Sequence, residues 1–380
     1  MEPITFPDLG VSAAVCEALA ASGISEPFEI QALAMPDALA GRDVLAKSRT
    51  GSGKTLAFAI PIVERVRSDE PTPTALVLVP TRELAVQVAD DFRAIARVKG
   101  LRVATAYGGV GIPAQAKAAA RAHVLVATPG RLEDLATRRL VSLDRVRILI
   151  LDEADRMLDM GFQPQVDRLV RRIPAKRQTM FFSATLDGAV GHIARAYTTD
   201  ARRHEVDSPI ETVEEADHRF VPVRSGNKIE ALIEILSHGD GLSLVFVRTK
   251  RGADRLVQRL RHHGVAALAL HGDMPQSARE RALERFESGK ISTLVATDVA
   301  ARGLDLDRIT HVVNFDPPED DKSYVHRVGR TARAGRSGTG VTLVLPEQQG
   351  DVSRIASRLK LHDEFTLEGM TIFMDSTCSI

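Results

Sequence analysis

The sequence has little cysteine, few aromatics, no net charge and no long apolar run, and each shortage removes a class of protein. Its 380 residues contain two cysteines, Cys16 and Cys378, near opposite ends of the chain. That is neither a disulfide framework nor metal-ligand spacing, and it fits a reducing, intracellular setting. Tryptophan is absent and aromatic residues make up only 4%, which argues against broad base-stacking surfaces. The 50 basic residues balance 50 acidic ones. A chain so balanced is no indiscriminate coat for nucleic acid or anionic membrane, although a local basic groove is allowed. No stretch approaches the roughly 20 apolar residues that span a bilayer, and the start Met1-Glu2-Pro3 lacks the basic region of a secretory signal. The expectation is a soluble, cytoplasmic protein with no membrane partner.

What is present is a globular chain, 44% hydrophobic and long enough for two core-bearing domains. Its 40 Arg against 10 Lys read as the composition of a GC-rich, bacterial genome before any preference for guanidinium. Short apolar runs alternate with longer amphipathic segments, the pattern of β-α units that build parallel sheets. In the first half the strand candidates are residues 43–46, 75–79, 103–106, 123–127, 148–151 and 179–182, with a helix expected over 84–98. The second half repeats the texture at 220–223, 244–247, 266–270, 293–296, 311–315 and 340–345. Between them, residues 205–217 hold six acidic groups, no Lys or Arg, and Pro209. Such a stretch repels itself and cannot build a core, so it reads as an extended linker or, less simply, an acidic surface loop. The fold class expected is therefore α/β, with two tandem parallel-sheet domains over 1–204 and 218–360, a short acidic linker, and a tail, 361–380, expected to fray because 364–380 show no clear period.

The sharpest local signal is Thr50-Gly51-Ser52-Gly53-Lys54-Thr55, which follows an apolar strand and precedes a helical pattern. Glycines let successive N–H groups turn inward on a phosphate, and the next helix adds the positive end of its dipole. Lys54 supplies a cation for β/γ oxygens, and the Thr55 hydroxyl is a ligand for Mg²⁺. Ser48 stands where the full phosphate-loop pattern has its first glycine, so the core of the motif carries the reading. A second anchor comes from Leu149-Ile150-Leu151 running into Asp152-Glu153-Ala154-Asp155. A carboxylate at the end of a buried strand can hold Mg²⁺ directly or through water, which suits Asp152. Its neighbour Glu153 can then deprotonate an attacking water.

At this point the chain resembles the DEAD-box ATP-dependent RNA helicases of superfamily 2, in the order and spacing of about ten motifs over residues 6–336. The resemblance implies two RecA-like domains, ATP and Mg²⁺ as cofactors, and RNA as a partner held largely without regard to sequence. It implies that Gln31, with Gly23, Pro27 and Ile30, recognises adenine, and that Phe6, seventeen residues before Gly23, stacks on the base. Arg82 in Pro80-Thr81-Arg82-Glu83, Gly108-Gly109 and Thr128-Pro129-Gly130-Arg131 resemble the first domain's RNA contacts. Exposed N–H groups with a hydroxyl or guanidinium are chemistry for gripping phosphates rather than reading bases. Ser183-Ala184-Thr185 looks like the segment that couples hydrolysis to strand separation. In the second domain Thr249, Gln276 with Arg279, and Thr297 resemble RNA contacts, and Asp305 resembles the ribose ligand. His326-Arg327-Val328-Gly329-Arg330-Thr331-Ala332-Arg333 looks like the arginine-finger motif. His326 joins the catalytic set there, and Arg330 and Arg333 are expected on the γ-phosphate from one face of a helical turn.

Departures from the family pattern are Ser48 for Ala, Phe28 for Thr and Ala332 for Gly; none removes a charged or metal-binding group. The expected activity is RNA-stimulated ATP hydrolysis coupled to local duplex unwinding or remodelling of RNA–protein particles, by a monomer with possible protein partners. A DNA-directed ATPase and an ATP-gated RNA clamp remain open beside it. The zero net charge is a cancellation. Residues 1–204 hold 27 basic and 23 acidic groups and 218–360 hold 23 and 17, while the linker carries −6 and the tail −4. Two mildly basic domains suit a moderate, salt-sensitive grip on RNA.

Overall fold

The computed structural model describes residues 4–48, 52–186, 188–206, 216–301, 308–331, 338–367 and 369–370. The chain divides into two units, Met1–Ser208 and Pro209–Ile380. In the first unit the strands are β1 (Val44–Lys47), β2 (Ala75–Leu78), β3 (Val103–Ala106), β4 (Val124–Ala127), β5 (Ile148–Asp152), β6 (Gln178–Ser183) and β7 (Arg202–Glu205). They lie in the order β3-β4-β2-β5-β6-β1-β7 with every pairing parallel. Parallel neighbours require crossovers, and the helices supply them: α1 (Ala13–Ala21), α2 (Glu29–Leu39), α3 (Lys54–Arg65), α4 (Arg82–Ala96), α5 (Ile112–Ala119), α6 (Pro129–Thr137), α7 (Ala154–Asp159), α8 (Gln163–Val170) and α9 (Gly188–Tyr197). Alternate strand residues feed opposite faces. Ala75 and Val77 pack with α1–α4, while Leu76 and Leu78 pack with α6–α9.

The second unit repeats this plan with β8 (Ala216–Pro222), β9 (Leu242–Phe246), β10 (Ala267–Leu270), β11 (Thr293–Ala296), β12 (Ile309–Asn314) and β13 (Gly338–Val344), in the order β10-β11-β9-β12-β13-β8, again all parallel. Its helices are α10 (Lys228–His238), α11 (Lys250–His262), α12 (Gln276–Glu287), α13 (Asp298–Ala301), α14 (Asp321–Val328), α15 (Gln349–Arg358) and α16 (His362–Thr366).

Three expectations need correction. Glu205, placed in the linker, ends β7, where its carboxylate meets Lys47 at 3.2 Å. Ala216 and Asp217, also placed there, begin β8 and pair with Gly338 and Thr339 of β13. A four-residue edge strand, Arg-Arg-His-Glu, carries no apolar signal because an edge is protected by charge. The tail is not all frayed. Phe365 is fully buried and meets Phe220 edge-on at 5.3 Å between centroids, with Leu361 and Met370 in the same cluster. Burying that ring contributes roughly 2–3 kcal/mol, enough to hold a five-residue helix that lacks a readable period. Residues 207–215 and 371–380 lie outside the described residues.

Candidate active site

In an open parallel sheet, ligands sit beyond the carboxyl ends of the strands. In the first unit the ends of β1, β5 and β6 bring the predicted phosphate, metal and coupling residues together. Lys54 opens α3 and is buried, and its ammonium donates to the Ser48 carbonyl at 2.7 Å. The Ser52 hydroxyl donates to Ser48 Oγ at 2.9 Å, so the later end of the phosphate loop is tied back to the residue that starts it. Burial holds the Lys54 ammonium below the ordinary lysine range, opposed by the nearby charges of Asp152, Glu153 and Asp155. Asp152, the last residue of β5, accepts the Glu153 N–H at 3.0 Å and is 3% exposed. Burial first, and the charge of Glu153 second, raise its carboxyl above the usual range. The buried carboxylates of Asp152 and Glu153, together with the hydroxyl of Thr55, the residue after Lys54, supply the oxygen donors that suit a hard divalent cation.

Glu153 adopts a left-handed backbone, φ 52°, and caps α7. Its carboxylate meets the Arg156 guanidinium at 2.5 Å, with both side chains buried. A non-glycine residue in that region costs of order 1–3 kcal/mol, which the surrounding contacts must offset. Ser183, the last residue of β6, accepts the Ser48 N–H at its carbonyl at 3.0 Å, while its hydroxyl accepts the N–H groups of Asp155 at 3.4 Å and Thr185 at 3.3 Å. The expected coupling triplet, Ser183 with Ala184 and Thr185, thus starts on the residue that touches both the phosphate loop and the acidic segment.

Gln31 is fully buried on α2. Its amide Nε2 donates to the Gly53 carbonyl at 2.8 Å and its Oε1 accepts the Phe28 N–H at 3.0 Å. Gly53 has φ +78°, and a Cβ there would overlap the Phe28 ring edge and lie 2.5 Å from Gln31 Nε2. Only glycine allows that approach. Phe6 is a correction. It is 2% exposed inside the apolar cluster of Val11, Val15 and Phe58, where its ring is core and not a base-stacking face.

The three expected RNA-gripping segments of this unit occupy the ends of the adjacent strands β2, β4 and β3. Thr81 caps α4, Arg82 opens it, and a Cβ on Gly108 would lie 3.3 Å from Arg82 Nη2. Gly109 takes φ +85°. Thr128 precedes α6, Pro129 and Gly130 form its first turn, and Arg131 donates to the Val110 carbonyl at 3.0 Å and to Gln115 Oε1 at 2.6 Å. Arg82 and Arg131 therefore both reach the Gly108–Val110 loop.

In the second unit Thr249 caps α11 after β9, accepting the Gly252 N–H at 3.0 Å. Thr297 follows β11 and is buried. Arg279 is also buried, with Nη1 donating to the His271 carbonyl at 3.2 Å. Helix α14 ends at Val328, so Arg330 lies beyond it. Arg330 is 4% exposed and its Nε donates to the His326 carbonyl at 3.3 Å. Thr50, Gly51, Asp305 and Arg333 lie outside the described residues.

The family follows from comparison. Over 358 residues, 94% of this chain and 77% of the relative, the sequence is 42% identical to the DEAD-box ATP-dependent RNA helicase CshA of Geobacillus kaustophilus. The chain belongs to the DEAD-box ATP-dependent RNA helicases. Family models for the DEAD/DEAH box helicase and the helicase conserved C-terminal domain match residues 28–192 and 227–335. The ATP-dependent rRNA helicase RRP3 of Yarrowia lipolytica is 42% identical over 98% of this chain and 78% of its own. Among solved structures, S. cerevisiae Dbp5 bound to RNA and ADP BeF3 superposes with a TM-score of 0.83 at 30% identity, covering 97% of this chain and 94% of that one. Both sheets are thus the tandem RecA-like sheets of DEAD-box helicases.

Two buried arginines beside the expected site residues of their own units escaped the sequence reading. Arg156 follows the acidic segment by one residue, and its i, i+3 spacing from Glu153 is the signal that could have found it. Arg327 is buried on α14. It grips both Asp298 oxygens at 2.6 and 2.7 Å, Asn314 Oδ1 at 3.1 Å and the Asp316 carbonyl at 2.7 Å. Its partners come from two separate segments, so nothing local announces them.

Proposed function

We propose that the DEAD-box machinery of this chain works through the residues gathered at the first sheet's carboxyl edge, in the cytoplasm and as a monomer. The carrying observation is the junction of Ser48, Lys54, Asp152, Glu153 and Ser183 at the adjoining ends of β1, β5 and β6. Lys54 and the loop amides hold the β and γ phosphates of ATP, which relieves the charge imbalance among the buried carboxylates. Thr55 and Asp152 would hold Mg²⁺, directly or through water, and the ion would supply positive charge to the phosphate oxygens. Glu153, freed from Arg156, takes the proton of the attacking water. Gln31 ties the base-recognition helix to the phosphate loop, so occupancy of one is felt by the other. RNA is gripped through its phosphates by Arg82, Gly108, Gly109, Thr128, Pro129, Gly130 and Arg131 in the first unit and by Thr249, Arg279 and Thr297 in the second. Arg330 and Arg333 stabilise charge on the γ-phosphate, with His326 beside them and Asp305 on the ribose. Ser183, Ala184 and Thr185 relay the nucleotide state, because Ser183 touches both the loop and the acidic segment. Local, non-processive separation of RNA strands follows.

The test is Glu153→Gln. ATP and RNA binding persist in this variant while RNA-stimulated hydrolysis falls by about 10²–10⁴-fold, the usual contribution of a general base. Unchanged turnover would remove Glu153 from that role.

A further inference from the structure

We infer that Phe28 is the stacking face for the purine base of the bound nucleotide, a specificity residue peculiar to a chain with so few aromatics. The inference rests on the nucleotide reading proposed above and deepens it. Three observations carry it. Phe28 is 60% exposed and is the one exposed Phe or Tyr among the described residues. Phe6, the ring first expected to stack, is sealed in the core at 2% exposure. The Phe28 ring is also fixed in place beside the phosphate loop.

That fixing is double. The Phe28 N–H is held by Gln31 Oε1 at 3.0 Å, and the ring edge lies so close to Gly53 that no Cβ fits between them. Gly53 immediately precedes Lys54, the cation for the phosphates, and its carbonyl takes the other end of the Gln31 amide at 2.8 Å. An aromatic face thus stands next to an amide, at the carboxyl end of the phosphate loop. A purine offers one flat face for stacking and an edge of donors and acceptors for an amide. Leaving a Phe ring in water is unfavourable, and covering it with a base recovers that burial together with the stacking interaction. The arrangement recognises a purine nucleoside di- or triphosphate.

The chain has no tryptophan, so Phe28→Trp places a single reporter at the site. ADP is expected to quench its fluorescence saturably, with an affinity close to that of the unmodified protein. Phe28→Leu keeps apolar bulk against Gly53 but removes the π face; it and Phe28→Thr are expected to weaken ADP binding about tenfold, as loss of one base–aromatic stack does. The KM for ATP should rise similarly while kcat at saturating ATP and the melting temperature stay unchanged. Wild-type ADP affinity in both Phe28→Leu and Phe28→Thr, or unquenched indole fluorescence in Phe28→Trp with ADP bound, would overturn the assignment. An affinity lost in Phe28→Thr but kept in Phe28→Leu would show a packing role only and would also overturn it. Failure of the unmodified protein to bind ADP at all would instead overturn the nucleotide reading itself.

Discussion

The six strands of the second unit repeat the order of the first six strands of the first, which adds β7 at its edge, and the same topological position carries opposite chemistry in each. In the first, the loop 48–53 joins β1 to α3 and Lys54 is the first helical residue; in the second, the loop 223–227 joins β8 to α10 and Lys228 is the first helical residue. Asp152 ends β5, and Asp316 follows β12, the strand in the corresponding place of the second sheet. The Lys54 ammonium turns back to a loop carbonyl and feels Asp152 only as a neighbouring charge. The Lys228 ammonium instead pairs with Asp316 at 3.1 Å and lies 4.3 Å over the Phe315 ring. The first loop contains Gly51 and Gly53, whereas the second has only Gly226. A β-loop-α frame with a lysine is therefore not a phosphate site. It becomes one when glycines turn N–H groups inward and the cation is left for an incoming anion.

That contrast can be broken most forcefully at Lys54. Lys54→Ala should lower RNA-stimulated ATP hydrolysis by about 10²–10³-fold, the scale of losing one preorganised charge-stabilising group, with no drop in melting temperature. A folding defect of the Lys54→Ala chain in urea denaturation would mean that the lysine is structural, as Lys228 is. Next comes Arg327, which organises the second unit as the acidic segment organises the first. Arg327→Met should cost about 3–5 kcal/mol in denaturant titration, because removing a buried cation with four oxygen contacts leaves Asp298 and Asn314 without their partner. Gly53→Ala should cost about 1–3 kcal/mol through its positive φ and its overlap with Phe28, read as lower ADP affinity in calorimetry; Gly226→Ala should cost much less, since open space surrounds it. Lys228→Ala should destabilise by about 1 kcal/mol, because its pair is partly exposed.

The smallest effect is one of pH. Burial first, and the Arg102 charge second, hold the His123 imidazole below its ordinary range, and the ring bonds the Arg102 N–H at 2.9 Å and the Ser68 carbonyl at 3.0 Å. A depressed histidine contributes stability that is present above its unfolded pKa of about 6.5 and is lost as pH falls below it. His123→Gln should flatten the fall in melting temperature between about pH 6.5 and 5.

Much of the molecule was legible because parallel strands buried on both faces are written as largely apolar runs, and residues 293–296, buried at every position, are a strand with the expected bounds. The phosphate loop and the acidic segment were legible because their chemistry is local in sequence. What escaped was non-local. The edge strand β7 is charged because it is an edge, and the C-terminal helix α16 is held by Phe220 of β8, which is distant in sequence. The burial of Phe6 and exposure of Phe28 depend on which helix covers which ring, and no spacing between them encodes that. Arg327 stood inside the finger motif with no role of its own, because its partners Asp298 and Asn314 sit 29 and 13 residues away.

The central claim is that one of two equivalent loops binds nucleotide. Calorimetric titration of the full chain with ADP in Mg²⁺ measures it directly. The account predicts one ADP per chain, abolished by Lys54→Ala and unaltered by Lys228→Ala. Two ADP per chain, or loss of binding in Lys228→Ala with Lys54→Ala unaffected, would contradict it.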